Sequence, residues 1–331
     1  MFHPLRPAAA LVLFTALFFT ACATTRRQPA GPRDLPTVLT PSATTATYTR
    51  CYQTEPDTYL LQTGRRVFKP ASGRGPTIEL LGAAHIGEPA YYAAIQQRMD
   101  RADAVLFEQV IDERKPPNQL TPEESAKRRA GSAYHRLAGL VGLSSQQELV
   151  RYDRKHFERC DMTLQQMRAL LETEVAKGGK EAAEANAALR EFDSLMKALR
   201  GDSWLVNFAF WAADKSEHLK ASLKFSLVVK TPGAKEGLGL PSRLTQLINE
   251  DRSAHVLRDL PKFLTTRPAA KHLVIFYGAA HLPALAQGLL ERGYVPAGPV
   301  AWLTVARSHP QAEGLEPDDI EDAIDEARHE R

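Results

Sequence analysis

With only three cysteines in 331 residues, the chain cannot rest on a disulfide framework, so its stability has to come from an apolar core. No HExxH, CxxC, GxSxG or phosphate-loop pattern occurs, which leaves the zincin, thiol-redox, serine-hydrolase and P-loop readings without their motifs. The net charge is only +3, and no basic stripe with interleaved aromatics is present, so a nucleic-acid partner is not expected. Long hydrophobic runs are missing as well. The longest, Ala8 to Phe19, falls short of the roughly 20 residues that a spanning helix needs.

What is present is a 44% hydrophobic, 24% charged composition, enough for a sizeable globular core. The N-terminal "MFHPLRPAAALVLFTALFFTAC" places Arg6 before that short apolar run and small residues before Cys22. This is a secretory signal layout. "FTAC" resembles a bacterial lipobox, although Phe19 stands where Leu, Val or Ile is usual. The resemblance implies a signal peptide over residues 1–21 and lipidation of Cys22. Ala23 after the cysteine favours the outer membrane, facing the periplasm. The Thr-, Pro- and Ala-rich residues 22–48 read as a flexible tether. Residues 49–310 read as the folded domain, and 311–331 as an acidic tail that is either solvated or an appended helix. Cys51 and Cys160 remain as an even pair, which in an exported chain are either bridged or two buried thiols.

Two segments repeat an arrangement. "PTIELLGAAH" reads as a strand and turn, "PAYYAAIQQRMDRA" as a helix with Pro89 in its first turn, and "DAVLFEQV" as a second strand. Near the C-terminus "HLVIFYGAAH", "LPALAQGLLERG" and "VAWLTVA" repeat the order. The fold class expected is α/β: two β–α–β halves forming a central parallel or mixed sheet, with a large helical insertion between them. "DTYLLQT" and "RRVFKP" read as short strands ahead of the first half. The insertion, around residues 165–200, contains helices broken at Gly178–Gly179. Trp204, Phe208 and Trp211 read as facing a core, with a substrate-binding wall as the alternative. "LPSRLTQLINEDRSAHVLRDLPKFL" reads as an amphipathic helix, and "GAKEGLGLPS" as a loop.

In a parallel α/β sheet, ligands bind beyond the carboxyl ends of the strands. That edge holds His85 after the first strand, Glu108 after the second, and His281 at the matching corner of the second half. Gly82 and Gly278, three residues ahead of each histidine, supply positive φ or let the backbone approach a ligand closely. Two imidazoles and a carboxylate suit a divalent transition metal with open positions, or acid–base work. Asp153 and His156 form a weaker i, i+3 pair that reads as a helix surface.

GxxH, a strand ending in Glu, an acidic–Arg helix and a second GxxH together resemble the TraB/TIKI superfamily, itself similar to the erythromycin esterase and ChaN-like fold. The matching positions are Gly82, His85, Glu108, Arg252, Gly278 and His281. The resemblance implies a metal-dependent hydrolase of peptide or amide-like substrates. In it His85, Glu108 and His281 hold Mn, Co or Zn, and Arg252 neutralises the substrate oxyanion. A binding protein on the same scaffold, sequestering a peptide signal or haem or iron, is the alternative. A purely structural envelope lipoprotein is a third. The family's Glu-Arg pair is replaced by Asp251 before Arg252, with Glu250 one further back, so the acid that partners Arg252 is open.

Overall fold

The computed structural model describes residues 37–38, 48–114, 119–230 and 240–329. The expected signal segment, Cys22, most of the tether and most of "GAKEGLGLPS" lie outside them. Within the expected tether, strand β1 (Thr37–Val38) pairs with β2 (Thr49–Glu55). Among the described residues no helix is long and apolar enough to cross a membrane.

"DTYLLQT" and "RRVFKP" form one strand, β3 (Thr58–Pro70). Next come β4 (Thr77–Ala83), the two-residue β5 (Ile86–Gly87), helix α1 (Pro89–Asp100) and β6 (Ala104–Phe107). The helical insertion opens with α2 (Pro122–Gly131), where Thr121 and Glu124 form the capping box their spacing predicts. It continues through α3 (Ala133–Leu140), β7 (Ser144–Ser145), α4 (Gln146–Leu149) and β8 (Phe157–Arg159). α5 (Leu164–Lys177) and α6 (Gly179–Leu199) are separated at the expected glycines, both at positive φ. α7 (Trp204–Asp214), α8 (Glu217–Val229) and α9 (Ser242–Gln246) lead to a π turn, Leu247–Asp251, that runs straight into α10 (Arg252–Thr266). β9 (His272–Gly278), the 3-10 turn Ala279–His281, α11 (Leu282–Glu291), β10 (Tyr294–Pro296), β11 (Ala301–Ser308) and α12 (Pro317–His329) complete the chain.

The protein is an α/β fold on one mixed sheet. β8, β6, β9 and β4 lie side by side and parallel, and β4 then pairs antiparallel with β3. The first half of β3 pairs with β2 and β11, the second half with β4 and β10. That two-edged pairing is why a stretch that reads as two short strands is continuous. The two β–α–β halves interleave: β9, from the second, sits between β4 and β6 of the first.

Strand periodicity builds the core. Leu81, Ala83, Val105, Phe107, Val274 and Phe276 join one cluster, which α1 and α8 cover with Ile95, Met99 and Phe225. Their neighbours Ile78, Leu80, Leu106, Leu273, Ile275 and Tyr277 join another, covered by α10 and α11 through Val256, Leu260, Leu282 and Leu285. Successive residues thus point to opposite faces, and each large apolar side chain fully buried contributes about 1.5–3 kcal/mol.

One expectation is overturned here and two open alternatives are resolved. Phe208 and Trp211 do not face a core: each is 59% exposed, with ring centroids 5.7 Å apart. Val206, Phe210 and Ala213 take α7's buried face instead. Cys51 and Cys160 are not bridged but are buried thiols in different core clusters; burial pushes the Cys160 thiol up to about 12. Of the two readings of the acidic end, the helix is formed, with Ile320, Ile324 and Ala327 of α12 buried in the core.

Candidate functional site

The chain leaves β4 through α1, on one face, and returns as β6. It leaves β9 through α11, on the other face, and returns beyond β4 at β10. Connections departing in opposite directions from adjacent parallel strands open a crevice at their carboxyl ends. Both GAAH segments stand at that switch point, because β4 and β9 pair in register from Thr77–His272 to Ala83–Gly278. Glu108 follows β6 at the same edge, and its N–H donates to the Phe276 carbonyl (3.0 Å).

The two corners are not equivalent. After the first, the chain forms β5 before α1 begins, and His85 stays exposed. After the second, Ala279–His281 winds into a 3-10 turn that buries His281 at the N-cap of α11. Neither Gly82 nor Gly278 has positive φ; close approach is what requires them. A Cβ on Gly82 would meet the Gly64 carbonyl at 2.8 Å, and one on Gly278 would meet Glu108 Oε2 at 3.0 Å. That approach lets the Gly278 N–H donate to Oε2 at 2.5 Å.

Arg252, 6% exposed, is the centre of the buried tier. Its Nε and Nη2 donate to Asp161 Oδ1 (2.9 Å) and Oδ2 (2.7 Å), Nη2 also to Glu108 Oε1 (2.5 Å), and Nη1 faces His281 Nε2 at 3.5 Å. Asp161 also accepts from the Met162 N–H (2.8 Å). The acid partners of Arg252 are therefore Asp161 and Glu108. Asp251 pairs with Arg243 instead (2.8 Å), and Glu250 is exposed. The π turn ahead of α10 presents the Asn249 carbonyl to His281 Nδ1 at 3.1 Å, and the Ser253 hydroxyl lies 3.0 Å from the same nitrogen. A carbonyl only accepts, so the His281 proton sits on Nδ1 and Nε2 turns its lone pair to Arg252. Such irregular helical turns occur frequently at functional sites.

Burial by itself raises the Glu108 pKa. Arg252, His281 and His85 nearby, with the Gly278 N–H, outweigh it and hold the carboxyl well below the usual carboxylate range. Burial lowers His281, opposed by Glu108 and reinforced by Arg252, so the imidazole is kept neutral. Burial alone would lower Arg252, but Glu108 and Asp161 raise it.

Above this tier, Gln146 Nε2 donates to the Tyr152 hydroxyl (2.8 Å), leaving Oε1 to accept from His85 Nδ1 (3.2 Å). This assignment leaves His85 Nε2 bare. The ring stacks on Tyr134, centroids 4.5 Å apart. Burial and the Glu108 charge push the Tyr134 phenol up to about 12.

Asp153 and His156 are not ligands on a helix face. They lie in a loop before β8, where Asp153 is beside Arg154 and His156 contacts the Met99 carbonyl. Asp161, Ser253, Tyr134 and Gln146 escaped the sequence reading. Only Asp161 carried a usable signal, two residues past the end of parallel strand β8.

Among the described residues, no three His, Cys, Asp or Glu side chains are grouped to hold a metal. Glu108 Oε1 and His281 Nε2 lie 3.8 Å apart, a span one ion can bridge at bonds of about 2 Å. Such an ion would lie within about 4.5 Å of Arg252 Nη2, where a divalent and a single positive charge repel by ~7 kcal/mol at an effective dielectric of ~20. The expected metal set does not fit this arrangement while the guanidinium holds its place. No family model, curated protein or solved structure matches the chain.

Proposed function

We propose that this chain is an envelope-anchored hydrolase of a peptide or amide-like bond, with His85 as its general base. One observation carries the reading: an exposed imidazole, hydrogen-bonded to Gln146, stands at the sheet's switch point, the same edge that holds half-buried Glu108 and its partner Arg252. The resemblance to the TraB/TIKI pattern supports the reaction class, and the lipobox-like "FTAC" supports the location. In this mechanism His85 Nε2 takes a proton from the attacking water as its oxygen bonds the carbonyl carbon, then returns that proton to the amine as the C–N bond breaks. Tyr134, still protonated at neutral pH, is a donor for the substrate oxygen. Arg252, its fork engaged by two carboxylates, acts by holding Glu108 ionised rather than by touching the oxyanion. The Glu108 charge in turn stabilises the imidazolium that forms.

The test is cleavage of a peptide and amide library by the purified full chain, read by mass spectrometry. His85→Ala should lose about 10²–10⁴-fold of the rate, while its unfolding free energy falls by no more than about 1.5 kcal/mol, the loss of the Gln146 hydrogen bond and the Tyr134 ring contact. Equal rates for wild type and His85→Ala overturn the assignment. A Soret band on haem addition, with no cleavage anywhere in the library, selects the binding protein instead.

A further inference from the structure

We propose that Arg252 is the resident cation of this cleft: its guanidinium occupies the electrostatic position of a metal ion, and removing it creates a metal site. The inference uses the cleft geometry above and does not depend on turnover. Glu108, Asp161 and His281 come from three different elements, yet each turns a lone pair toward one guanidinium (2.5, 2.7 and 3.5 Å). That donor set, two carboxylates and a neutral imidazole, is one that zinc and other divalent first-row metals take. The imidazole is already in the tautomer a ligand needs. Its Nδ1 is anchored by Asn249 and Ser253, and such outer partners orient metal-binding histidines in general. What prevents an ion from entering is the charge already there. The carboxylates do not repel one another apart, because Arg252 lies between them.

Three alternatives carry less. The exposed Phe208–Trp211 pair has nothing showing what covers it. The hollow lined by Tyr92, Gln96, Asp100, Leu149 and Arg151 presents no convergent chemistry. The buried Glu79 is already paired with Arg65, Arg98 and His272.

The experiment is titration of the full chain, purified in chelator, with Co(II), Zn(II) and Mn(II). Bound metal is read by mass spectrometry after gel filtration, and Co(II) also by its visible d–d absorption. Wild type should retain less than about a tenth of an equivalent, and Arg252→Lys, which keeps the charge, likewise. Arg252→Ala should gain about one equivalent with a Co(II) spectrum, and Arg252→Ala combined with Glu108→Gln should lose it again. One ion retained by wild type and lost in His281→Ala overturns the proposal. So does a folded Arg252→Ala that binds none. Should Arg252→Ala fail to fold, Arg252→Met, neutral but closer in length, takes its place: about one equivalent bound upholds the inference, and a folded Arg252→Met that binds none overturns it, as does metal bound by wild type or Arg252→Lys. Catalytic activity enters none of these readings, so failure of the hydrolase assignment stays separable.

Discussion

At the scale of single residues, Arg252 is the side chain on which most depends. One guanidinium neutralises two carboxylates that are nearly out of water, and truncating it leaves both without a counter-charge. Removing one partner of a buried ion pair costs about 3–5 kcal/mol. Arg252→Ala in chelator should lose stability on that scale by urea unfolding. Asp161→Asn removes one charge but keeps a polar side chain of the same size, and should cost about 1.5–3 kcal/mol. An Asp161→Asn loss equal to or larger than that of Arg252→Ala contradicts the network. Strand-end position drew attention to His85, Glu108 and His281 in the sequence, and only the resemblance to the TraB/TIKI pattern did so for Arg252. Asp161 was not read, although it lies two residues past β8, because a three-residue strand in "RKHFERCD" is too short to show from periodicity. Gln146 and Tyr134 act through tertiary proximity to His85, which no spacing in the sequence encodes.

At the scale of elements, the two GAAH corners serve different ends despite identical residues. The first exposes its imidazole and the second buries it, because Ile86–Gly87 extends to pair with Ser144–Ser145 whereas Ala279–His281 coils directly into α11. The glycines fit their neighbours closely. Gly82→Ala would drive a methyl against the Gly64 carbonyl, and should cost about 1–3 kcal/mol by the usual penalty for overfilling a packed site, measured by thermal or chemical unfolding. An unchanged midpoint contradicts the close packing. Strand and helix positions near the motifs were readable from periodicity. Which strands become neighbours was not: order along a chain does not reveal that β9 slips between β4 and β6. The aromatic face of α7 misled because Phe208 sits two residues from Val206 and Phe210, and Trp211 one residue from Phe210, and hydrophobicity alone does not give the phase of a helix.

At the scale of the whole molecule, the site makes the fold sensitive to acid. Glu108 titrates lower in the folded chain than in the unfolded one, so its contribution is complete above the ordinary carboxylate value and is lost as pH falls through the depressed native value. His281 is also depressed. Below about 6.5 the unfolded chain takes up a proton there that the folded chain refuses, so stability again falls with falling pH. Both terms have the same sign. The urea midpoint should therefore decline from pH 7 toward pH 4, and the decline should begin near pH 6.5, earlier than carboxylates alone would cause. In His281→Gln the portion between about pH 6.5 and 5 should flatten. A wild-type midpoint constant over that interval removes the buried neutral imidazole from the account. The α/β class was legible at this scale because strands alternate with helices around both motifs. The docking of α12 was not decided by its acidic composition, because Ile320, Ile324 and Ala327, spaced along one helix face, suffice to seat it.

The pairing of β4 with β9 joins segments whose intervening chain includes α1, β6, β8 and the whole helical insertion. Each histidine finds its own partners closer by in the chain, but the two corners stand side by side only once that distant pairing forms, and contacts of such sequence separation form slowly. For a chain made from its N-terminus onward, the cleft is therefore absent through nearly all of synthesis. Its chemistry first exists only after His281 has emerged and the last strands have closed the sheet.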